Sequence, residues 1–227
     1  MIKSDSALLL PAAAAAALLL APGAALDNGL AIVPPKGWRS WNQFGSDINQ
    51  SVILAQYEAL ASKERTVDGV PTSLCDLGFC GAGIDDGWQA CFSGPGGIGF
   101  HNESGSPNVN LTRFPDLKAL TARARALGLR PGWYGSNDGC SDKSARCALQ
   151  KNGSDICFAG DVAATIDFGF ESVKYDGGSS EKNMTHWALL YNRTGKAVML
   201  EDCNNGNPAR AERDASGKLN CVSQPAH

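Results

Sequence analysis

Asp176 closes the run Glu171-Ser172-Val173-Lys174-Tyr175-Asp176, one step before Gly177-Gly178, and Lys174 stands two positions earlier. Residues two apart in a strand share a face, so the ammonium and the carboxylate stand side by side. A neighbouring cation holds a carboxylate ionised, which is the state a nucleophile needs. The same two residues would also make an ordinary surface ion pair. Three further runs end in polar clusters: Ile84-Asp85-Asp86-Gly87-Trp88, Tyr134-Gly135-Ser136-Asn137-Asp138, and Glu201-Asp202-Cys203-Asn204-Asn205. Convergent carboxylates accept hydrogen bonds from sugar hydroxyls, and Trp41, Trp88, Trp133 and Tyr134 offer flat apolar faces for a sugar ring. Taken singly, Asp85-Asp86-Gly87 reads equally as a turn, and Trp88 and Tyr134 as core aromatics.

The elements that must position these groups alternate. Helical spacing predicts a helix from Ser51, with Val52, Ala55, Ala59 and Leu60 on its inner stripe. A second follows Asp116, with Leu117, Leu120, Ala124 and Leu127 facing inward and Gly128 ending it. A third is expected near Asp161 to Phe168, and a fourth from Glu181 to Asn192 with Met184, Trp187, Ala188 and Tyr191 inward. Between them lie short strand-like runs at Gly83-Ile84-Asp85, Leu129 to Tyr134, Glu171 to Tyr175 and Ala197 to Leu200. Strands alternating with helices predict a parallel α/β sheet, whose sites lie at the carboxyl ends of the strands. The Gly-, Asn-, Ser- and Pro-rich stretch from Ala90 to Thr112 is expected to be a surface loop over that end.

Composition narrows the setting. Residues 1–25 have a basic Lys3, an apolar run from Ala7 to Ala21 and small residues at Gly23-Ala24-Ala25, the outline of a cleaved secretory signal. The run is shorter than the ~20 residues a membrane span needs, so no membrane association is expected once it is removed. Residues 26–227 suit one domain. All 8 cysteines lie in this part, and sequons begin at Asn49, Asn102, Asn110, Asn152, Asn183 and Asn192, which together predict a disulfide-bonded glycoprotein of the secretory pathway, extracellular or lysosomal/vacuolar. A net charge of −3 gives no basic footprint, so nucleic acid is not an expected partner. There is no C-x-x-C pair, and the histidines are scattered, so neither a metal nor a cofactor is expected.

The order of the segments adds a resemblance. Leu26-Asp27-Asn28-Gly29-Leu30, Pro34-Pro35-Lys36-Gly37-Trp38-Arg39-Ser40-Trp41-Asn42 and Ile84-Asp85-Asp86-Gly87-Trp88 are followed by Arg113-Phe114-Pro115, Leu127-Gly128-Leu129 with Gly132-Trp133-Tyr134, Val173-Lys174-Tyr175-Asp176, and Asn192-Arg193-Thr194-Gly195. This series resembles glycoside hydrolase family 27, the α-galactosidases and α-N-acetylgalactosaminidases. The resemblance implies a (β/α)₈ TIM barrel and retaining hydrolysis of terminal α-linked galactose on oligosaccharides, glycolipids or glycoprotein glycans. It casts Asp176 as the catalytic nucleophile and Lys174 as its partner and a sugar contact. Asp85 and Asp86 become the pair that grips galactose hydroxyls, and Trp41 and Tyr134 the aromatic walls. A retaining enzyme also needs an acid/base carboxyl ~5–5.5 Å from the nucleophile.

The chain departs from that pattern in four places. The resemblance places the acid/base aspartate shortly beyond a cysteine such as Cys221, where only Val222-Ser223-Gln224-Pro225-Ala226-His227 follow. Such barrels take ~250 residues, so the expectation is a barrel truncated after about five βα units, with little turnover of unactivated galactosides. The alternative is a catalytically dead remnant that only binds galactosides, or an unrelated disulfide-rich binding protein. The family's Cys-Glu-Trp-Gly loop is matched by Cys203-Asn204-Asn205-Gly206, so Glu201 or Asp202 is left to read the sugar's 2-position, and the choice between galactose and N-acetylgalactosamine stays open. Gly178 replaces a family cysteine, so Cys140 is expected to pair with Cys147 or Cys157, while Cys203 and Cys221 keep a family-like spacing.

Overall fold

The structure is a computed structural model that describes residues 28–135, 140, 156–176 and 184–203. The expectations that rest on residues 1–25, Ser136 to Asp138, Gly177-Gly178, Asn204 to Gly206 and Cys221 lie outside them. Five strands form one parallel sheet in the order β1 (Gly37–Arg39), β4 (Gly81–Gly83), β5 (Arg130–Tyr134), β6 (Ser172–Asp176) and β7 (Met199–Cys203). The connections carry α1 (Trp41–Phe44) and α2 (Gln50–Ala61), then α3 (Leu117–Ala126), α4 (Ile156–Phe168) and α5 (Met184–Arg193); β2 (Thr66–Val67) and β3 (Val70–Pro71) make a small antiparallel hairpin. The order of strands and crossover helices is that of a partial (β/α) barrel, five strands of the eight that close one.

The two faces of the sheet are chemically sorted. One row across it reads Trp133, Val173 and Leu200 in register, all buried against the helices. The adjacent row, Gly132, Ser172 and Met199, turns to the concave side, and Lys174, Glu201 and Asp176 follow on that side at strand period. Apolar residues therefore fill the sheet–helix layer, and polar or small ones line the interior. Trp133 is the centre of the layer. It stacks between Trp88 (4.4 Å) and Phe170 (4.7 Å), meets Phe168 edge-on, and its Nε1 donates to Thr165 Oγ1 at 3.2 Å. Replacing it with Ala should cost about 3–5 kcal/mol, since the surrounding rings cannot close so large a void. Urea unfolding of the variant measures this; a loss below about 1 kcal/mol would mean the layer is not packed as described.

Helix ends follow their local chemistry. Asn49 caps α2 by accepting from the Val52 N–H, and Asp116 caps α3 by accepting from the Ala119 N–H. The inner stripe of α2 differs from expectation: Ile53, Tyr57 and Leu60 are buried, whereas Ala55 and Ala59 face solvent. The bulkier residues win because they bury more area, and Tyr57 satisfies its hydroxyl on the Ala82 carbonyl. In α5 it is Leu190, not Ala188, that completes the buried set with Met184, Trp187 and Tyr191. The helix expected from Asp161 begins earlier, at Ile156.

The 90–112 stretch is irregular but not merely superficial. Bridges Gln89–Val109 and His101–Pro107 fold it back on itself, and Phe100 and His101 are buried. His101 Nε2 lies 2.8 Å from Asp161 Oδ1, which fastens the loop to α4, and Gly105 packs directly on Gly160 where any side chain would collide. The disulfide map corrects one expectation. Cys140 is bonded to Cys91, not to Cys147 or Cys157, because the loops leaving the neighbouring parallel strands β4 and β5 emerge side by side. Cys75 pairs with Cys80, Cys157 is also disulfide-bonded, and Cys203 is an exposed free thiol.

Candidate active site

The carboxyl ends of the strands bring a line of alternating charges together. Asp85 follows β4 and is almost fully buried, its side chain 2 % exposed. Ser40, next after β1, accepts the Asp85 N–H on its hydroxyl at 2.9 Å, and Asp85 Oδ1 accepts the Asp86 N–H at 2.9 Å. The first bond fixes the Asp85 backbone and the second orients its carboxylate, leaving Oδ2 for Lys174 Nζ at 3.0 Å. Lys174 Nζ also lies 3.1 Å from Asp176 Oδ2 and 5.3 Å from the centre of the Tyr134 ring. Alternation along β6 puts Lys174 and Asp176 on the same side of the sheet, as the sequence predicts.

One cation therefore serves two carboxylates from two strands. Burial alone would lower the Lys174 pKa, but the hydrogen bonds and charges of Asp85 and Asp176 outweigh it and hold the amine above its ordinary range. The ammonium is thus fixed as a cation at every physiological pH. Its side chain is 12 % exposed, while that of Asp176 is 21 % exposed. Of the two carboxylates, Asp176 is the one with room to meet a ligand.

Trp41, Asp85 and Lys174 line an open cavity of about 770 Å³, with Arg39, Glu201, Asp202 and the Ala31 to Pro35 segment on its other sides. Trp41 is 47 % exposed and presents a free aromatic face there. Asp86, though adjacent to Asp85, turns the other way and lines a separate cleft of about 730 Å³ beside Asn110 and Arg113. Tyr134 is buried; its carbonyl accepts the Trp88 indole N–H at 2.9 Å, and its ring lies under Lys174. Neither Tyr134 nor Asp176 is among the residues lining the larger cavity. Asp176 joins its wall through Lys174.

The fold recurs in known proteins. No protein-family model matches the chain. A probable α-galactosidase of Dictyostelium discoideum is 28 % identical over 193 residues, covering 82 % of this chain. An α-galactosidase of Oryza sativa subsp. japonica is 32 % identical over 193 residues, again covering 82 %. The solved structure of α-galactosidase I from Mortierella vinacea superposes with a TM-score of 0.57 at 27 % identity and covers 78 % of the chain. The chain belongs to the α-galactosidase family. It spans less than half the length of these relatives, 44 % and 41 % of the two sequences and 42 % of the solved chain. What this α-galactosidase-family chain supplies is part of the catalytic domain.

The role of one site residue, Arg39, escaped the motif reading of the α-galactosidase-like segments. Arg39 sits inside Gly37-Trp38-Arg39-Ser40-Trp41, yet nothing in that run says where its guanidinium goes. In the folded chain Arg39 crosses the interior and donates from Nη2 to Glu201 Oε2 at 2.6 Å, joining the two edge strands of the sheet. Glu201 is identifiable as a strand-end acid, but its partner is 162 positions away. No local periodicity carries that signal.

Proposed function

We propose that this chain carries the nucleophile side of a retaining α-galactosidase site. Asp176 attacks the anomeric carbon of a terminal α-linked galactose, a carboxylate–sugar ester forms, and the bond to the leaving oxygen breaks with its electron pair. Lys174 pairs with Asp176 and contacts the sugar; Asp85 accepts from its hydroxyls and Trp41 flanks the ring, while Tyr134 backs Lys174. The observation that carries this reading is the single ammonium, Lys174 Nζ, within 3.1 Å of carboxylates from β6 and from the end of β4. A cation shared in this way holds one carboxylate, the buried one, as a fixed acceptor and leaves the other accessible. Galactosides in oligosaccharides, glycolipids or glycoprotein glycans are the substrate class, and residues 1–25 act as a signal that directs residues 26–227 into the secretory pathway.

The test requires no acid catalyst. A 2-deoxy-2-fluoro-α-galactoside with a dinitrophenyl leaving group departs without protonation and stalls at the ester. Incubated with the secreted chain, it should add one fluorogalactosyl group, and peptide mapping should place the adduct on Asp176. No adduct, or an adduct on a different carboxylate, rejects the assignment.

A further inference from the structure

Arg39 is bound more extensively than a surface arginine would be. From β1 its side chain passes over Gly83 on β4, where a Cβ would stand 2.8 Å from the guanidinium carbon, so the missing side chain there makes the passage possible. Nη1 donates to the carbonyls of Ile84 (3.2 Å) and Trp133 (3.4 Å), which end the neighbouring strands. Nη2 donates to Glu201 Oε2 at 2.6 Å, and Nε lies 3.9 Å from Asp85 Oδ2. The planar fork thus ties β1, β4, β5 and β7 together at the level of the site. The result is a row of five charges of alternating sign: Glu201, Arg39, Asp85, Lys174 and Asp176.

Among the described residues, Glu201 is held by one oxygen only. Its Oε1 accepts no hydrogen bond from the described residues, the side chain is 28 % exposed, and it lines the same cavity as Trp41, Asp85 and Lys174. A carboxylate anchored at one oxygen by a rigid fork presents the other as an oriented acceptor. We infer that Arg39 is a positioning residue that presents Glu201, the cross-strand neighbour of Lys174, as a sugar-hydroxyl acceptor in the cavity that Asp85 and Lys174 also line. This rests on the galactoside reading above. Because the Lys174–Asp176 pair is untouched, the contribution is to binding and not to the bond-breaking step.

Kinetics on dinitrophenyl α-galactoside distinguish this role from a strut. Arg39→Gln should raise KM about tenfold with kcat changed less than about threefold, the signature of lost uniform binding. Arg39→Lys keeps the charge but not the fork and should recover part of the loss. Glu201→Gln should raise KM by a similar factor, and combining it with Arg39→Gln should add little, because the two act as one unit. A lower melting temperature with unchanged KM in Arg39→Gln would overturn the proposal, as would an unchanged KM in Glu201→Gln. If Arg39→Gln does not fold, Glu201→Gln alone decides. If the unaltered chain neither turns over this substrate nor is labelled by the fluorogalactoside, the galactosidase reading fails and this inference falls with it; labelling of the unaltered chain with an indifferent Glu201→Gln overturns this inference alone.

Discussion

Asp176→Asn should lower the rate of release of dinitrophenol from its α-galactoside by at least about 10³-fold, while the fold stays intact. The side chain keeps its shape, so Lys174 still finds an oxygen near 3.1 Å and its bond to Asp85 survives. What disappears is the negative charge and the nucleophilic lone pair. Because Asp176 is partly solvated, the stability change should stay within about 1 kcal/mol. Galactose affinity should change far less than rate, since Asp85 and Trp41 still line the cavity. A second variant separates nucleophile from electrostatic helper. Asp176→Gly opens space for a small anion, so added azide should restore turnover and yield β-galactosyl azide by a single displacement. Unimpaired turnover by Asp176→Asn, or azide rescue giving the α-product, would remove Asp176 from the nucleophile role.

The parts of this arrangement that were legible in the sequence are those set by neighbours in the chain. The lysine–carboxylate pair on β6 follows from strand period alone, and α3 announces itself with Asp116 before it and Gly128, at φ +79°, after it. The inner face of α2 was misread because alanines carry little periodic signal, while Tyr57 hides a polar head that only a partner at Ala82 explains. β1 is three residues long and has no alternation to detect; it becomes a strand by pairing with Gly81–Gly83, where glycines at Gly37 and Gly81 allow close backbone approach. The Cys91–Cys140 bond and the Arg39–Glu201 pair depend on which strand ends lie side by side. Such pairings are products of the sheet order. A motif names the groups that do the chemistry, and topology decides which groups hold them.

Lys174→Met tests the centre of the charge row and carries the largest expected electrostatic effect. Asp85 is buried, and its Oδ2 has Lys174 at 3.0 Å and Arg39 only at 3.9 Å. Removing the ammonium leaves a buried carboxylate with a more distant cation, a change that costs about 3–5 kcal/mol where no other partner exists. Arg39 and the Asp86 N–H remain, so about 2–3 kcal/mol at neutral pH is the expected loss. The pH dependence has a definite sign. Asp85 and Asp176 raise the Lys174 pKa in the folded chain above its ordinary 10.5. A group whose pKa rises on folding contributes its full stability below the unfolded value and loses it as pH climbs through the folded one. The gap between the unaltered chain and Lys174→Met should therefore be constant from neutral pH to about pH 9.5 and narrow above pH 10.5. Urea unfolding at pH 7, 9 and 11, with the exposed Cys203 thiol blocked to prevent exchange, measures it. A gap that persists unchanged at pH 11, or none at pH 7, would mean that the ammonium does not hold the two carboxylates together.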